Sequence, residues 1–500
     1  MDLFLLNNLT GNLEKFDHNK DIPIKWYTCG PTIYNNSHLG HARTFITFDV
    51  IRRVLSFLGY NIIYVMNITD IDDKIINKVK QLSPNNEVNE EIYYKFIKEM
   101  ENDFWKDMDT LGVLRPTVVT RVTEYIDKIK HYIEKIESNG LTYTSNGTVY
   151  IDSKKYVDCN LQWNFFGLTN NSDYSQCEFT AEKKSPADFS LWKASKPGEL
   201  KFDSKWGNGR CSWSIECSVM SHDILGEYID IHSGGIDLKY PHHCNEMIQS
   251  IAYSNGINKI PVKTFLHSGH LNINGEKMAN SSTNFITIRK YLETHTARQL
   301  RILFLIHSWN KPMDLNQNTI DEAEMVEKRI IDFYCNMEQL QRTNNKNESS
   351  LNEVDTNYLN GFIKFKNEIY QSLLNNIDTK NVIKLLLEWV QATYKYTNNK
   401  YNLTLVNNSI EYITQILNVF GLDFKTTKSN NDSDVYIDIL VNFRQNIRNI
   451  VKNGSKDIPK QTLINLFKEL DLVRDNELKG QGIIIEDLGE NNKKWKRVLS

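Results

Sequence analysis

The sequence predicts an α/β fold: a parallel nucleotide-binding sheet carrying an insertion, followed by a mainly helical C-terminal region. Three observations predict it. Residues 22–30 (IPIKWYTCG) read as a short strand that ends at Gly30-Pro31. Ile51, Val54, Leu55 and Leu58 then recur at the helical period, and Gly59 closes the pattern. Residues 62–66 (IIYVM) form a second apolar run of strand length. Strand, helix and strand within about 45 residues make a βαβ unit, the opening of such a sheet.

The later elements follow from the same patterns. Residues 75–140 read as mainly helical, and 141–210 as mixed, with short β-like runs such as Gly147–Ile151 (GTVYI). That mixed stretch reads as an insertion between two halves of the sheet. Strand-like pieces return at 227–232 and 263–273. From about residue 290 the helical period dominates, as in Phe362, Phe365, Ile369 and Leu373. Two stretches rich in Asn, Ser, Thr and Asp, 341–357 and 426–434, read as linkers or loops.

Composition sets outer bounds. A chain of 500 residues has length for two to four domains and a real core. No run approaches the ~18 apolar residues that span a bilayer. The start, MDLFLL, lacks the basic flank and long apolar core of a secretion signal. Seven cysteines, an odd number without a framework rhythm, point to a reducing cytoplasm and to metal as the use of any special thiol. A net charge of −3 argues against nonspecific coating of nucleic acid, while leaving room for a local basic groove.

Four constellations carry chemistry. Ser37-His38-Leu39-Gly40-His41 stands at the head of the first helix, where unpaired N–H groups suit phosphate. Gly40 admits close approach of a nucleotide, and His38 and His41, three apart, can each donate to charge on phosphate oxygens. A surface turn with two solvated histidines is the plain alternative. Lys277-Met278-Ala279-Asn280-Ser281-Ser282, after Asn274-Gly275-Glu276, offers a lysine on a loop that could close over a triphosphate. His242 and Glu246, four apart, share a helical face; with Cys29 and Cys217 they make a plausible four-ligand zinc shell. Cys244 points off that face, so we expect it outside the first shell. Ordinary buried cysteines and a helix-start histidine would read the same way. His232-Ser233-Gly234-Gly235-Ile236-Asp237 is a glycine turn after an apolar strand, where ribose or adenine could pack and Asp237 bind a hydroxyl or ammonium. A tight structural turn is the alternative there.

Taken in order, YTCGPTIY, SHLGH, NITDIDDK, WSIECS, HSGGID, PHHCNE and KMANS resemble the cysteinyl-tRNA synthetase family of class I aminoacyl-tRNA synthetases. The resemblance covers nearly the whole chain and is nearer the eukaryotic cytosolic type. TARQLRILFLIHSW (296–309) looks like the start of the family's helical domain. The resemblance implies a Rossmann-like catalytic domain over 1–295 with an insertion at roughly 112–205. It also implies a helical stem and anticodon-binding domain over 296–425, then a linker and small C-terminal region over 426–500.

It implies one zinc held by Cys29, Cys217, His242 and Glu246, and ATP·Mg²⁺ held by His38, Gly40, His41, Gly234, Asp237 and Lys277. His38, His41 and Lys277 would be the catalytic groups; Cys29, Thr69 and Trp213 would line the amino-acid pocket. L-cysteine, ATP and tRNA(Cys) are the expected partners, with no membrane, in the cytoplasm. With a metal selecting sulfur, we expect no editing domain. Cysteine activation feeding a small-molecule amine is the competing enzyme reading, and the helices beyond residue 300 weigh against it. A tRNA-binding chain that has lost activation is a third reading. Lys493-Lys494-Trp495-Lys496-Arg497 offers a basic run with an aromatic, either a tRNA contact or a solvated tail. One departure stands out: the family loop carries a second lysine where this chain has Asn280 and a serine where it has Ala279. Lys290 is a candidate to compensate.

Overall fold

The computed structural model describes residues 2–84, 87–167, 181–257, 260–277, 285–343, 350–424, 431–453, 459–488 and 492–497. Five parallel strands form the central sheet: Ile24–Thr28, Ile62–Ile68, Val118–Arg121, Ile229–Gly235 and Val262–Ser268. Numbered along the chain, their spatial order is 3-2-1-4-5, the doubly wound arrangement. The order in which strands are added reverses at the junction of the first and fourth strands. In such sheets ligands bind beyond the carboxyl ends of the strands at that junction.

The expected βαβ unit is present. Helix Leu39–Phe57 joins the first two strands, and Gly59 closes it at φ +91°, a left-handed conformation that costs glycine nothing. Val54 and Leu55 from the periodic set are fully buried. Gly30, past the end of the first strand, is required for another reason. A Cβ there would lie 1.7 Å from the carbonyl oxygen of Asn67, so only glycine lets the ends of these strands approach.

The stretch 75–140 departs from a helical reading at one point. Helices occupy Asp73–Leu82, Glu90–Thr110 and Ile126–Ser138, but Val118–Arg121 is the edge strand of the central sheet. Four residues paired to one neighbour give too short a run for period-2 alternation to register. The inserted sheet is accordingly Thr142–Ser145, Thr148–Ile151, Ser190–Ala194 and Gly209–Cys211, four antiparallel strands in sequence order. It begins well after residue 112. The expected linker 341–357 is partly helical, since helices Gln317–Thr343 and Glu353–Leu374 claim both of its ends. Helix Asn431–Asn453 likewise takes the end of 426–434.

The chain divides into two compact units, one of residues 1–320 with 371–380 and the other of 321–370 with 381–500. The first unit therefore runs past residue 295, taking in helix Ala297–Leu305. Among its described residues the second is helical apart from a hairpin of Ile483–Leu488 and Asn492–Arg497. The basic run 493–497 is one strand of that hairpin. Trp495 is buried with Ile437, Val441, Leu478, Ile483 and Ile485, and Arg342 lies over its ring at 4.4 Å. That aromatic is part of a core, so it is not free to stack on a base. No helix among the described residues is long and apolar enough to cross a membrane.

Candidate active site and metal centre

The first strand delivers Cys29, and the helix after the inserted sheet, Ile215–Leu225, delivers Cys217. His242 sits in the turn leading into helix Cys244–Tyr253, and Glu246 lies in that helix's first turn. The four converge. Cys29 Sγ lies 3.6 Å from Cys217 Sγ, 3.4 Å from His242 Nε2 and 3.6 Å from Glu246 Oε1. His242 Nε2 and Glu246 Oε1 are 3.2 Å apart. All four side chains are buried, with their ligand atoms within 4.8 Å of one another.

These spacings fit a metal. In a tetrahedral zinc shell, thiolates at about 2.3 Å and imidazole at about 2.0–2.1 Å give sulfur–sulfur edges near ~3.8 Å and sulfur–nitrogen edges near ~3.5 Å. The observed 3.6 and 3.4 Å lie close to those edges. The charges fit as well. Burial pushes the Cys29 thiol up, and its hydrogen bond to Cys217 adds to the shift. Against the same burial, the Cys29 hydrogen bond and His242 hold Cys217 down to about 6. Against burial, Cys217 and Glu246 push His242 up to about 10, while His232 and His242 hold Glu246 down to about 2. A thiolate, a carboxylate and an imidazolium in a dry pocket suit exchange of protons for a divalent cation. A second group, Cys29, His232, His243 and Glu246, has its ligand atoms equally close, and Cys244, fully buried and neighbouring Tyr156, belongs to neither.

One cavity of about 370 Å³ joins this set to the nucleotide signature. Cys29, Cys217 and His242 line it together with His38, Gly40, His41, Thr69, Trp213 and Asp237. Trp213, 42% exposed, lies against the His242 ring at 4.4 Å. Gly234 does not line the cavity; its neighbour Gly235 does. A Cβ on Gly234 would meet Leu238 and His243 at 2.9–3.0 Å, so this glycine admits packing behind the turn. Lys277 pairs through its backbone with Asn272, and its side chain lies outside the described residues. So do Ala279 and Asn280. Lys290 does not reach the cavity: it is exposed and pairs with Glu293 at 2.5 Å.

The two signature histidines are locked by the helix they head. His38 is the N-cap, and its Nδ1 accepts from the N–H groups of Gly40 and His41 at 3.1 and 3.3 Å. His41 Nδ1 accepts in turn from the His38 N–H at 3.3 Å, and the rings stack 3.8 Å apart. With both Nδ1 atoms accepting, a neutral ring carries its proton on Nε2. Burial lowers His38 to about 4, partly offset by Asp237, and burial with the neighbouring His38 holds His41 well below its ordinary value. Both are therefore neutral Nε2–H donors at pH 7.

A class I tRNA synthetase (C) catalytic-domain model matches residues 15–325, more than half of the chain. The cysteine–tRNA ligase of Encephalitozoon cuniculi is 41% identical over 497 residues, covering 98% of each chain. This chain belongs to the cysteine–tRNA ligase family. The cytoplasmic cysteine–tRNA ligase of Dictyostelium discoideum is 39% identical, over 99% of this ligase and 78% of that one. The human cytoplasmic relative is 34% identical over 84% of this chain and 71% of its own. The class I synthetase fold recurs in Mycobacterium tuberculosis methionyl-tRNA synthetase bound to methionyl-adenylate, with a TM-score of 0.57 at 12% identity over 80% and 90% of the two chains. Thermus thermophilus arginyl-tRNA synthetase gives 0.54 at 10% identity over 82% and 84%.

Several residues of this ligase's site escaped sequence reasoning. His232 Nε2 meets Glu246 Oε2 at 2.8 Å, and His243 Nδ1 meets His267 Nε2 at 2.7 Å. His232 and His243 were visible within HSGGID and PHHCNE, but nothing in the spacing distinguishes a supporting histidine from a ligand. Asn67 and Glu216, both buried, bracket Thr69 through hydrogen bonds of 3.0 and 2.8 Å. Burial raises the Glu216 carboxyl well above its usual range.

Proposed function

We propose that this enzyme joins L-cysteine to tRNA(Cys) through a cysteinyl-adenylate, with zinc held by Cys29, Cys217, His242 and Glu246. The observation that carries the reading is the single cavity lined both by soft metal ligands and by the helix-head histidines. Zinc bound there supplies a soft Lewis acid that takes a thiolate as an additional ligand and a neutral serine hydroxyl far less readily. A purely apolar pocket separates such near-isosteres by only about 1–3 kcal/mol.

The cysteine carboxylate attacks the α-phosphorus of ATP·Mg²⁺. A carboxyl–phosphate bond forms, the α–β bridging bond breaks, and pyrophosphate leaves with the electron pair. His38 and His41 donate their Nε2–H groups to the oxygens where charge builds, in a cavity that shields them from water. Lys277 adds positive charge from its loop as pyrophosphate departs. Gly40 and Gly235 let the nucleotide lie against backbone, with Gly234 packing behind that turn, and Asp237 accepts from a ribose hydroxyl. Thr69 and Trp213, with Cys29, flank the amino acid. The terminal ribose hydroxyl of tRNA then attacks the activated carbonyl and AMP leaves. The helices after residue 316 would read splayed anticodon bases, with 426–500 as a small appended region. The cytoplasmic relatives support a cytoplasmic site of action.

Cysteine-dependent exchange of pyrophosphate into ATP, with zinc present and tRNA absent, tests activation; adding tRNA(Cys) tests transfer. We expect exchange in the first and charged tRNA in the second. Exchange without charging would favour transfer to a small-molecule amine, and no exchange would remove activation altogether.

A further inference from the structure

Arg43 is a buried cation that meets carbonyl groups and, among the described residues, no carboxylate. It stands two residues beyond His41, on another face of helix Leu39–Phe57, and is 1% exposed. Its Nη1 donates to the Phe304 carbonyl at 3.2 Å, and its Nη2 to those of Ser308 and Trp309 at 2.7 and 3.4 Å. Phe304 lies in the last turn of helix Ala297–Leu305, where unpaired carbonyls and the helix dipole favour a cation. Burial lowers the guanidinium to about 10, so it stays charged at neutral pH. The Trp309 carbonyl is shared, for it also accepts from the Gly269 N–H at 2.9 Å. The Met313 N–H donates to the His270 carbonyl at 3.0 Å. Strand Leu271–Ile273 then pairs in parallel with Met313–Leu315 and antiparallel with Glu276–Lys277, so the strand that holds the Lys277 backbone is built on the segment Arg43 grips. A Cβ on Gly269 would lie 2.0 Å from the Lys311 carbonyl oxygen, so only glycine lets these segments meet. Thr44, next on the helix, adds a hydroxyl bond to Ser268 at 2.9 Å. Residues 286–288 return to the head of the same helix: the Leu39 N–H donates to the Ile286 carbonyl at 3.1 Å, and the Ile288 N–H to that of Ser37 at 3.0 Å.

We propose that Arg43 is a positioning residue: by gripping the 304–309 turn from the histidine helix, it sets the place of the strand that carries Lys277 relative to His38 and His41. The proposal rests on the cysteine-activating reading, in which those three groups share the charge of the transferring phosphate, and adds what holds them in register. They come from segments far apart in the chain. Donors of this kind lower a barrier only when their spacing is set before the charge develops. A guanidinium suits the task, because its planar fork holds the carbonyls of three residues at once. An ammonium is a point charge and would not keep all three in place.

The test is cysteine-dependent pyrophosphate exchange in wild type, Arg43→Met, Arg43→Lys and Gly269→Ala, each repeated in a Lys277→Ala background, with zinc content and KM for cysteine followed throughout. We expect kcat to fall by about tenfold to a hundredfold in the three single variants, the scale of a small misplacement set off away from the chemistry. Zinc content and KM for cysteine should stay within about threefold of wild type. In the Lys277→Ala background the same substitutions should change kcat by less than about threefold, because the group they misplace is gone. Gly269→Ala keeps the guanidinium and moves the shared turn from its other side, so the test does not depend on an Arg43 variant folding. Losses that multiply with that of Lys277→Ala, losses that take zinc or cysteine binding with them, or single variants at the wild-type rate would overturn the assignment. A zinc-replete wild type without exchange would instead overturn the activation reading beneath it.

Discussion

His232 Nε2 lies 2.8 Å from Glu246 Oε2, while the other oxygen of the same carboxylate faces Cys29 and His242. One carboxylate thus has one oxygen turned toward the metal-ligand set and the other held by a buried imidazole. Support of this kind orients a ligand and commonly changes metal affinity by about tenfold to a hundredfold. We expect His232→Ala to weaken zinc binding by that margin in a chelator competition while the chain stays folded by circular dichroism. Unchanged zinc affinity would mean that the hydrogen bond does not hold Glu246 for the metal.

Cys217→Ser removes one sulfur and leaves the backbone alone. Zinc and cysteine-dependent pyrophosphate exchange should be lost together, read by metal analysis and exchange on one preparation. Zinc retained at full occupancy would take Cys217 out of the ligand set.

The helix-head histidines set a pH expectation. Burial depresses the folded-state value of His38 to about 4, below the ordinary 6.5, and also holds His41 well below its ordinary value. Unfolded chain binds more protons than folded between those values. The contribution of His38 to stability is therefore complete above about pH 6.5 and fades as pH falls toward 4. Both rings stay neutral donors through pH 6–9, so kcat for exchange should show no step near pH 6.5 that disappears in His38→Asn. Such a step would mean that a charged imidazolium does the work.

Much of this was legible in the sequence because long periodic elements and contiguous motifs carry their own signal. The βαβ opening was readable from its periodicity, whereas the grouping of Cys29, Cys217, His242 and Glu246 came from the family resemblance, since ligands so far apart in sequence have no spacing to read. The edge strand Val118–Arg121 was not, being four residues between helices. Nor were Asn67 and Glu216, because their hydrogen bonds to Thr69 exist only once separate strand and helix ends meet. The run at 493–497 misled for the opposite reason: its charges suggested a surface, while Trp495 belongs to a core built from residues before 486.

Asn280 occupies the place of a loop lysine, and loss of one donor to a transition state commonly costs about 10²–10³ in rate. Lys290, exposed and paired with Glu293, is not among the residues that line the cavity. Asn280→Lys should raise kcat for exchange, by less than about a hundredfold where His38, His41 and Lys277 already carry part of the charge. No rise would show that the second lysine was never limiting here.

Zinc K-edge X-ray absorption on the purified enzyme, with and without L-cysteine, goes straight to how sulfur is recognised. We expect one zinc per chain with two sulfur neighbours at about 2.3 Å in the free enzyme, rising to three when cysteine is added and staying at two with serine. A protein that binds no zinc, or a sulfur number that cysteine leaves unchanged, would contradict recognition of the amino acid through a metal–sulfur bond.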